Sequence, residues 1–291
     1  INFKKMCNLL IVLNRNFSLI ILLFSNFFSA QSLYENRPNI LFFITDDQSW
    51  VNTSFSGEVA ISTPGFDKIA NEGIFFENAI CASPSCSPSR GAIITGQEIW
   101  RLGEASQLFS AVPKELSKLC FPLLLESSGY NIGYTQKGWA PNDFDVYGWD
   151  SYPLGKSYSQ KKVKPLTNQI VKNDYFNNFK VFLNDNNGKK PFFFWCGTSE
   201  PHRAYQKGSG KTNGIDLKNI NVPGFLPDEL VIREDISDYL LEIKWTDQHL
   251  EKIINLLEKK GILDNTIIIV TSDNGMAFPG AKATLYEYGI H

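Results

Sequence analysis

The chain has 291 residues, 43% hydrophobic and 20% charged side chains, and a formal net charge of -2. This is enough apolar material to bury a sizeable core, as one large domain or two small ones. The near-balanced charge offers no electrostatic case for nucleic acid as the main partner, and the single basic run, Lys156 to Pro165, reads as a solvated surface insertion.

At the N-terminus Lys4, Lys5 and Arg15 precede an apolar run from Phe17 to Phe28, and small residues follow it. That order is the pattern of a secretory signal over residues 1–30. The run falls short of the ~20 residues that a membrane-spanning helix needs, and Asn26 interrupts it. The expectation is an exported protein, periplasmic or extracellular, with no stable membrane insertion after signal removal and with residues 31–291 as its folded part.

Past the signal, NILFFITDD holds an unbroken apolar run, Ile40 to Ile44, that ends at Asp46 and Asp47. CSPSRGAIITG, Cys86 to Gly96, reads as a loop running into a helix. FPLLLESSGY and then NIGYTQKG read as a short helix and a second strand, with Lys137 at its end. A third apolar run, Phe192 to Cys196, leads into SEPH and His202. Ile236, Leu240, Ile243, Leu250, Ile254 and Leu257 then recur at helical spacing until Gly261. The last run, Ile267 to Val270, precedes Asp273 and Asn274, and Lys282 follows in GAKATLYE. Short runs without alternation suit strands buried on both faces. Their alternation with helices predicts an α/β fold with a mainly parallel central sheet flanked by helices. In such sheets ligands collect at the carboxyl ends of the strands, where these polar residues fall.

Asp46, Asp47, Asp273 and Asn274 offer hard oxygen ligands that suit Ca²⁺ or Mg²⁺. Taken singly, Asp46-Asp47 reads equally well as a helix cap and Asp273-Asn274-Gly275 as a turn. Arg90, Lys137 and Lys282 could hold a tetrahedral oxyanion beside such a metal, although a lone lysine is more often a solvated surface residue. Of the three histidines, His202 is the best acid/base candidate; His249 lies in the long helix, where packing is the simpler role, and His291 ends the chain. Cys81, Cys120 and Cys196 carry no functional reading, and Cys196, closing a buried strand, reads as a small core residue.

Together, NILFFITDD, CSPSRGAIITG, the lysine of YTQKGW, the histidine of SEPHR and TSDNGMAFPGAKATLYEYGI resemble the sulfatases of the alkaline phosphatase superfamily. The wording around Trp100–Gly103 and Lys137–Trp139 is similar to bacterial relatives of heparan N-sulfatase. The resemblance implies that a formylglycine-generating enzyme oxidises Cys86 to formylglycine, whose hydrated aldehyde attacks sulfur with one hydroxyl and expels sulfate with the other. It also implies that Asp46, Asp47, Asp273, Asn274 and the modified Cys86 hold Ca²⁺, with Mg²⁺ as the alternative. Arg90 and Lys137 would then orient the diol, while His202 and Lys282 bind the sulfate oxygens and assist the leaving group. The implied substrates are sulfate esters or sulfamates of sulfated small molecules or glycans.

Three departures accompany the resemblance. Many sulfatases carry a histidine two residues after the lysine, where this chain has Trp139. P-H-x-P is here Pro201-His202-Arg203-Ala204, and the family continues past the position of His291 through more sheet and a smaller C-terminal domain. Two rivals stand beside the sulfatase reading. One is a phosphonate or phosphate ester hydrolase of the same superfamily, and the other is a non-catalytic carbohydrate-binding relative.

Overall fold

The structure is a computed structural model that describes residues 37–108, 110, 112–139 and 148–291. The signal read over residues 1–30 lies outside these residues. Among the described residues, no helix is long and apolar enough to cross a membrane.

Ten elements frame the fold in chain order: β1 (Asn39–Thr45), α1 (Pro64–Glu72), α2 (Cys86–Thr95), α3 (Phe121–Ser127), β2 (Asn131–Gln136), β3 (Lys156–Ser157), α4 (Tyr175–Asn186), β4 (Phe192–Gly197), α5 (Leu230–Lys259) and β5 (Thr266–Ser272). The strands form one sheet in the order β3-β2-β4-β1-β5, and every pairing is parallel. The basic run that begins at Lys156 thus supplies the edge strand β3.

Successive strand side chains point to opposite faces, so an unbroken apolar run can feed two cores. Leu41 and Phe43 of β1, with Phe192, Phe194 and Cys196 of β4, pack beneath α1, α4 and α5. Phe42 and Ile44, with Phe193 and Trp195, face the opposite layer, which includes Ala92 and Ile94 of α2. In α5 all six apolar positions at helical spacing are buried. The helix also starts earlier than that stripe, because its first turn places Leu230 and Val231 in solvent, where no packing pattern marks them.

β5 departs from the sequence expectation. It pairs with β1 on one side only, and Ile267 and Ile269 are 48% and 41% exposed while Ile268 and Val270 pack inward. A run of branched apolar residues reports strand propensity; it does not report how many layers cover the strand.

Phe194 tests the core that carries the site. It is fully buried, with ring centroids 5.1 Å from Phe179 and 4.6 Å from Phe182 of α4. Phe194→Ala should lower unfolding free energy by ~3–5 kcal/mol in urea denaturation, with the slope unchanged.

Candidate active site

Parallel pairing places the carboxyl ends of β1 and β5 side by side, since Thr45 stands opposite Ser272. Asp46 and Asp47 therefore leave one strand where Asp273 and Asn274 leave its neighbour. All four residues are buried. The backbone ladder runs on past the strands: Asp46 N–H donates to Glu200 O at 3.2 Å and Asp273 N–H donates to Thr45 O at 3.2 Å. Asp47 takes a left-handed backbone, φ 66°, which aspartate tolerates better than most residues. In that pose its N–H donates to Asp273 Oδ1 at 3.1 Å, and its Oδ1 accepts from Asn274 Nδ2 at 2.9 Å.

α2 supplies the next layer, and it begins at Cys86 itself instead of after a loop. Gly96, left-handed at φ 61°, closes the helix as a C-cap. The Cys86 thiol points at Asp47 Oδ1, 3.7 Å away, and accepts from Lys282 Nζ at 3.3 Å. Burial, with Asp273 and Asp46 nearby, pushes this thiol up to about 12. A plain thiolate nucleophile is therefore disfavoured here, even at a helix N-terminus.

One turn further on, Arg90 is 1% exposed. Its Nε donates to Asp273 Oδ2 at 2.7 Å, and its terminal nitrogens donate to the carbonyls of Lys137, Gly138 and Thr45 at 3.0, 2.8 and 3.3 Å. Arg90 thus acts on the site through Asp273 and the backbone around Lys137. Burial raises the Asp273 carboxyl, but Arg90 and Lys137 outweigh it and hold that group below the ordinary aspartate range.

Two lysines close the charge balance. Lys137 pairs with Asp46, and Lys282 sits 2.7 Å from the Asp47 carboxylate. Burial works against the Lys282 ammonium, yet Asp47 and Cys86 prevail and hold its pKa above the usual lysine value. The backbone of Lys137 is fixed by the end of β4. Its N–H donates to Gly197 O at 3.0 Å, and its own carbonyl lies only 1.7 Å from where a Cβ on Gly197 would sit. No side chain fits there, so Gly197 is what allows Lys137 its place. His202 stands at the mouth, its side chain 43% exposed and its Nε2 3.8 Å from Asp47 Oδ2.

Asp46, Asp47, Cys86 and His202 bring ligand atoms within 4.8 Å of one another. Asp46 Oδ1 and Asn274 Oδ1 are buried without a hydrogen-bond partner among the described residues. Burial and the neighbouring Asp273 push Asp46 up to about 8 despite Lys137 and Arg90. Two orphaned oxygens amid carboxylates are a donor set that fits a hard divalent cation.

The structure thus brings together all nine residues singled out from the sequence. Trp139, where many sulfatases have histidine, is fully buried and packs against Trp149 with ring centroids 5.2 Å apart. His249 is also buried, with its Nδ1 accepting from Phe176 N–H at 3.4 Å, in keeping with packing. Sequence reasoning passed over Glu200 and Glu242, which line a cavity adjoining Asp46, Lys137 and His202. The available signal was an acid on the buried stripe of α5, between Tyr239 and Ile243.

A wholly parallel sheet flanked by helices, with carboxylates, cations and a helix-borne cysteine gathered at its carboxyl ends, is an α/β fold of the alkaline phosphatase kind. The sulfatase family model matches residues 38–291, and the chain belongs to that family. It is 26% identical over 283 residues to N-sulphoglucosamine sulphohydrolase of Homo sapiens, which covers 87% of this chain and 54% of that protein. An ulvan-active sulfatase of Formosa agariphila is 26% identical over 267 residues, 89% of this chain and 48% of that protein. The phosphonate monoester hydrolase of Agrobacterium radiobacter shares the fold, with a TM-score of 0.60 at 16% identity over 88% of this chain and 67% of that one. The chain spans about half the length of the curated relatives it matches.

The Arg90–Asp273 pair provides a test of the site's framework. Arg90→Met should leave a buried carboxylate uncompensated and cost ~3–5 kcal/mol of stability. Equilibrium unfolding of the variant against the parent chain checks this.

Proposed function

We propose that this chain carries the catalytic part of an exported sulfatase that hydrolyses sulfate esters or sulfamates of sulfated carbohydrates. In this reading a formylglycine-generating enzyme converts Cys86 to formylglycine, and Asp46, Asp47, Asp273 and Asn274 hold Ca²⁺, or alternatively Mg²⁺. The observation that carries the reading is the setting of Cys86. Its side chain starts α2, faces Asp47 and Lys282, and shares one enclosure with the orphaned oxygens of Asp46 and Asn274.

Formylglycine, when present, supplies a geminal diol for attack on sulfur, and the cation supplies positive charge that favours loss of a diol proton. The remaining work falls to the chain's own residues. Lys282, held by Asp47 beside Cys86, is placed to neutralise charge growing on the sulfate oxygens. Lys137 does the same from the Asp46 side, and Arg90 keeps Asp273 ionised and in place. With Trp139 turned into the core, His202 is the histidine at the site, positioned to pass a proton to the departing oxygen or nitrogen. The N-sulfated sugar named in the human relative makes a glucosamine N-sulfate group the first substrate to try; the ulvan-active relative makes an algal sulfate ester the second.

The test combines mass spectrometry and sulfate release. Co-produced with a formylglycine-generating enzyme, the peptide spanning Cys86 should be lighter by the difference between a thiol and an aldehyde side chain. Sulfate release should vanish in Cys86→Ala and fall ~10²–10⁴-fold in His202→Ala. An unmodified thiol under those conditions would favour a non-catalytic binding protein, and faster turnover of a phosphonate monoester than of any sulfate would replace the sulfatase reading.

A further inference from the structure

Beside the sulfate-binding residues lies a cavity of about 260 Å³ that the proposed chemistry leaves unused. Asp46, Lys137 and His202 form the wall it shares with the site, and Glu200, Arg203 and Glu242 are among the residues that line the rest. A cavity of this size has room for several waters or for part of a sugar ring.

The acids in this wall differ. Glu200 is satisfied: its Oε1 accepts from Val171 N–H at 2.9 Å and its Oε2 accepts from the Tyr175 hydroxyl at 2.6 Å. Arg203 is also engaged, by Asp235 at 2.7 Å and by the Ala277 carbonyl at 3.0 Å. Glu242 is only 2% exposed, yet its Oε1 has no hydrogen-bond partner among the described residues. Glutamate is seldom buried unless it is paired, and an orphaned buried oxygen destabilises the fold. Leucine at this position of α5 would avoid that cost. Glu242 lines the cavity, and a ligand seated there that draws this carboxyl into a hydrogen bond accounts for the cost.

We propose that this cavity is a specificity subsite in which Glu242 hydrogen-bonds a hydroxyl of the sugar ring next to the scissile sulfate. The inference rests on the sulfatase reading and deepens it. Burial, followed by Glu200 and Asp238, pushes Glu242 up to about 9, so at neutral pH it is a neutral acid with one donor and one acceptor. That state suits a hydroxyl.

Three probes in a Cys86→Ala background, where nothing turns over, test the subsite: inorganic sulfate, cyclohexyl sulfamate and glucosamine N-sulfate. Cyclohexyl sulfamate presents the same sulfamate on a six-membered ring without hydroxyls. By calorimetry, glucosamine N-sulfate should bind roughly tenfold more tightly than cyclohexyl sulfamate. Glu242→Leu should reduce that ratio to near one, leave sulfate binding unchanged and raise Tm by about 2–4 °C, because an orphaned acid has gone. Glu242→Gln should keep the ratio. Equal binding of the two sulfamates by the Cys86→Ala chain overturns the subsite before any change at Glu242. A ratio unchanged in Glu242→Leu also overturns it, and so does a ratio lost equally in Glu242→Gln, which would point to a cationic group. Failure of inorganic sulfate itself to bind would instead remove the sulfatase reading, and the subsite with it.

Discussion

Three carboxylates meet where two neighbouring parallel strands end, and the rest of the site answers to that crowding. The β1–β5 register puts Asp46 and Asp47 beside Asp273, all three out of water. Burying like charges together is costly unless each finds an opposite charge or a metal. Arg90 meets Asp273, Lys137 meets Asp46 and Lys282 meets Asp47. These three cations come from a helix, a strand end and a C-terminal loop far apart in sequence. The loop that brings Lys282 is itself tied down, since Lys282 N–H donates to Met276 O at 3.0 Å and Ala283 N–H to Pro84 O at 3.0 Å. Charge compensation therefore dictates which segments must converge, and Cys86 is placed by the same convergence.

Much of this was legible in the amino-acid order. Apolar runs at Ile40–Ile44 and Phe192–Cys196 mark the central strands because strands covered on both faces need apolar residues at every position. Acids directly after such runs mark the carboxyl ends, so Asp46, Asp47, Asp273 and Asn274 could be named as a group. The outer exposure of Ile267 and Ile269 could not be read this way, since it depends on the strand order and not on the strand's own residues. The partners of Arg90 were equally hidden. Its guanidinium is spent on one carboxylate and three backbone carbonyls, so it braces the site from behind. Glu242 was hidden for another reason: an acid within a long amphipathic helix looks solvated until the neighbouring helices and loops enclose it.

Trp139 fills a fully buried position beside the site. Its indole lies among Trp149 and Tyr152, and its backbone N–H donates to the Tyr152 hydroxyl at 2.9 Å. A large apolar side chain there strengthens the layer under α2 while removing an ionisable group from the neighbourhood of Lys137. The family's ligands and cations can persist through such a change because they are fixed by strand ends and by the Arg90 network, neither of which involves the Trp139 ring.

In the proposed function this convergence holds a divalent cation. Calorimetric titration with Ca²⁺, alongside the shift in melting temperature, tests it most directly. A single site, a rise in Tm with Ca²⁺, and loss of both in Asp47→Asn and Asp273→Asn are expected. The absence of Ca²⁺ or Mg²⁺ binding at millimolar concentration, or binding that survives both substitutions, would contradict it.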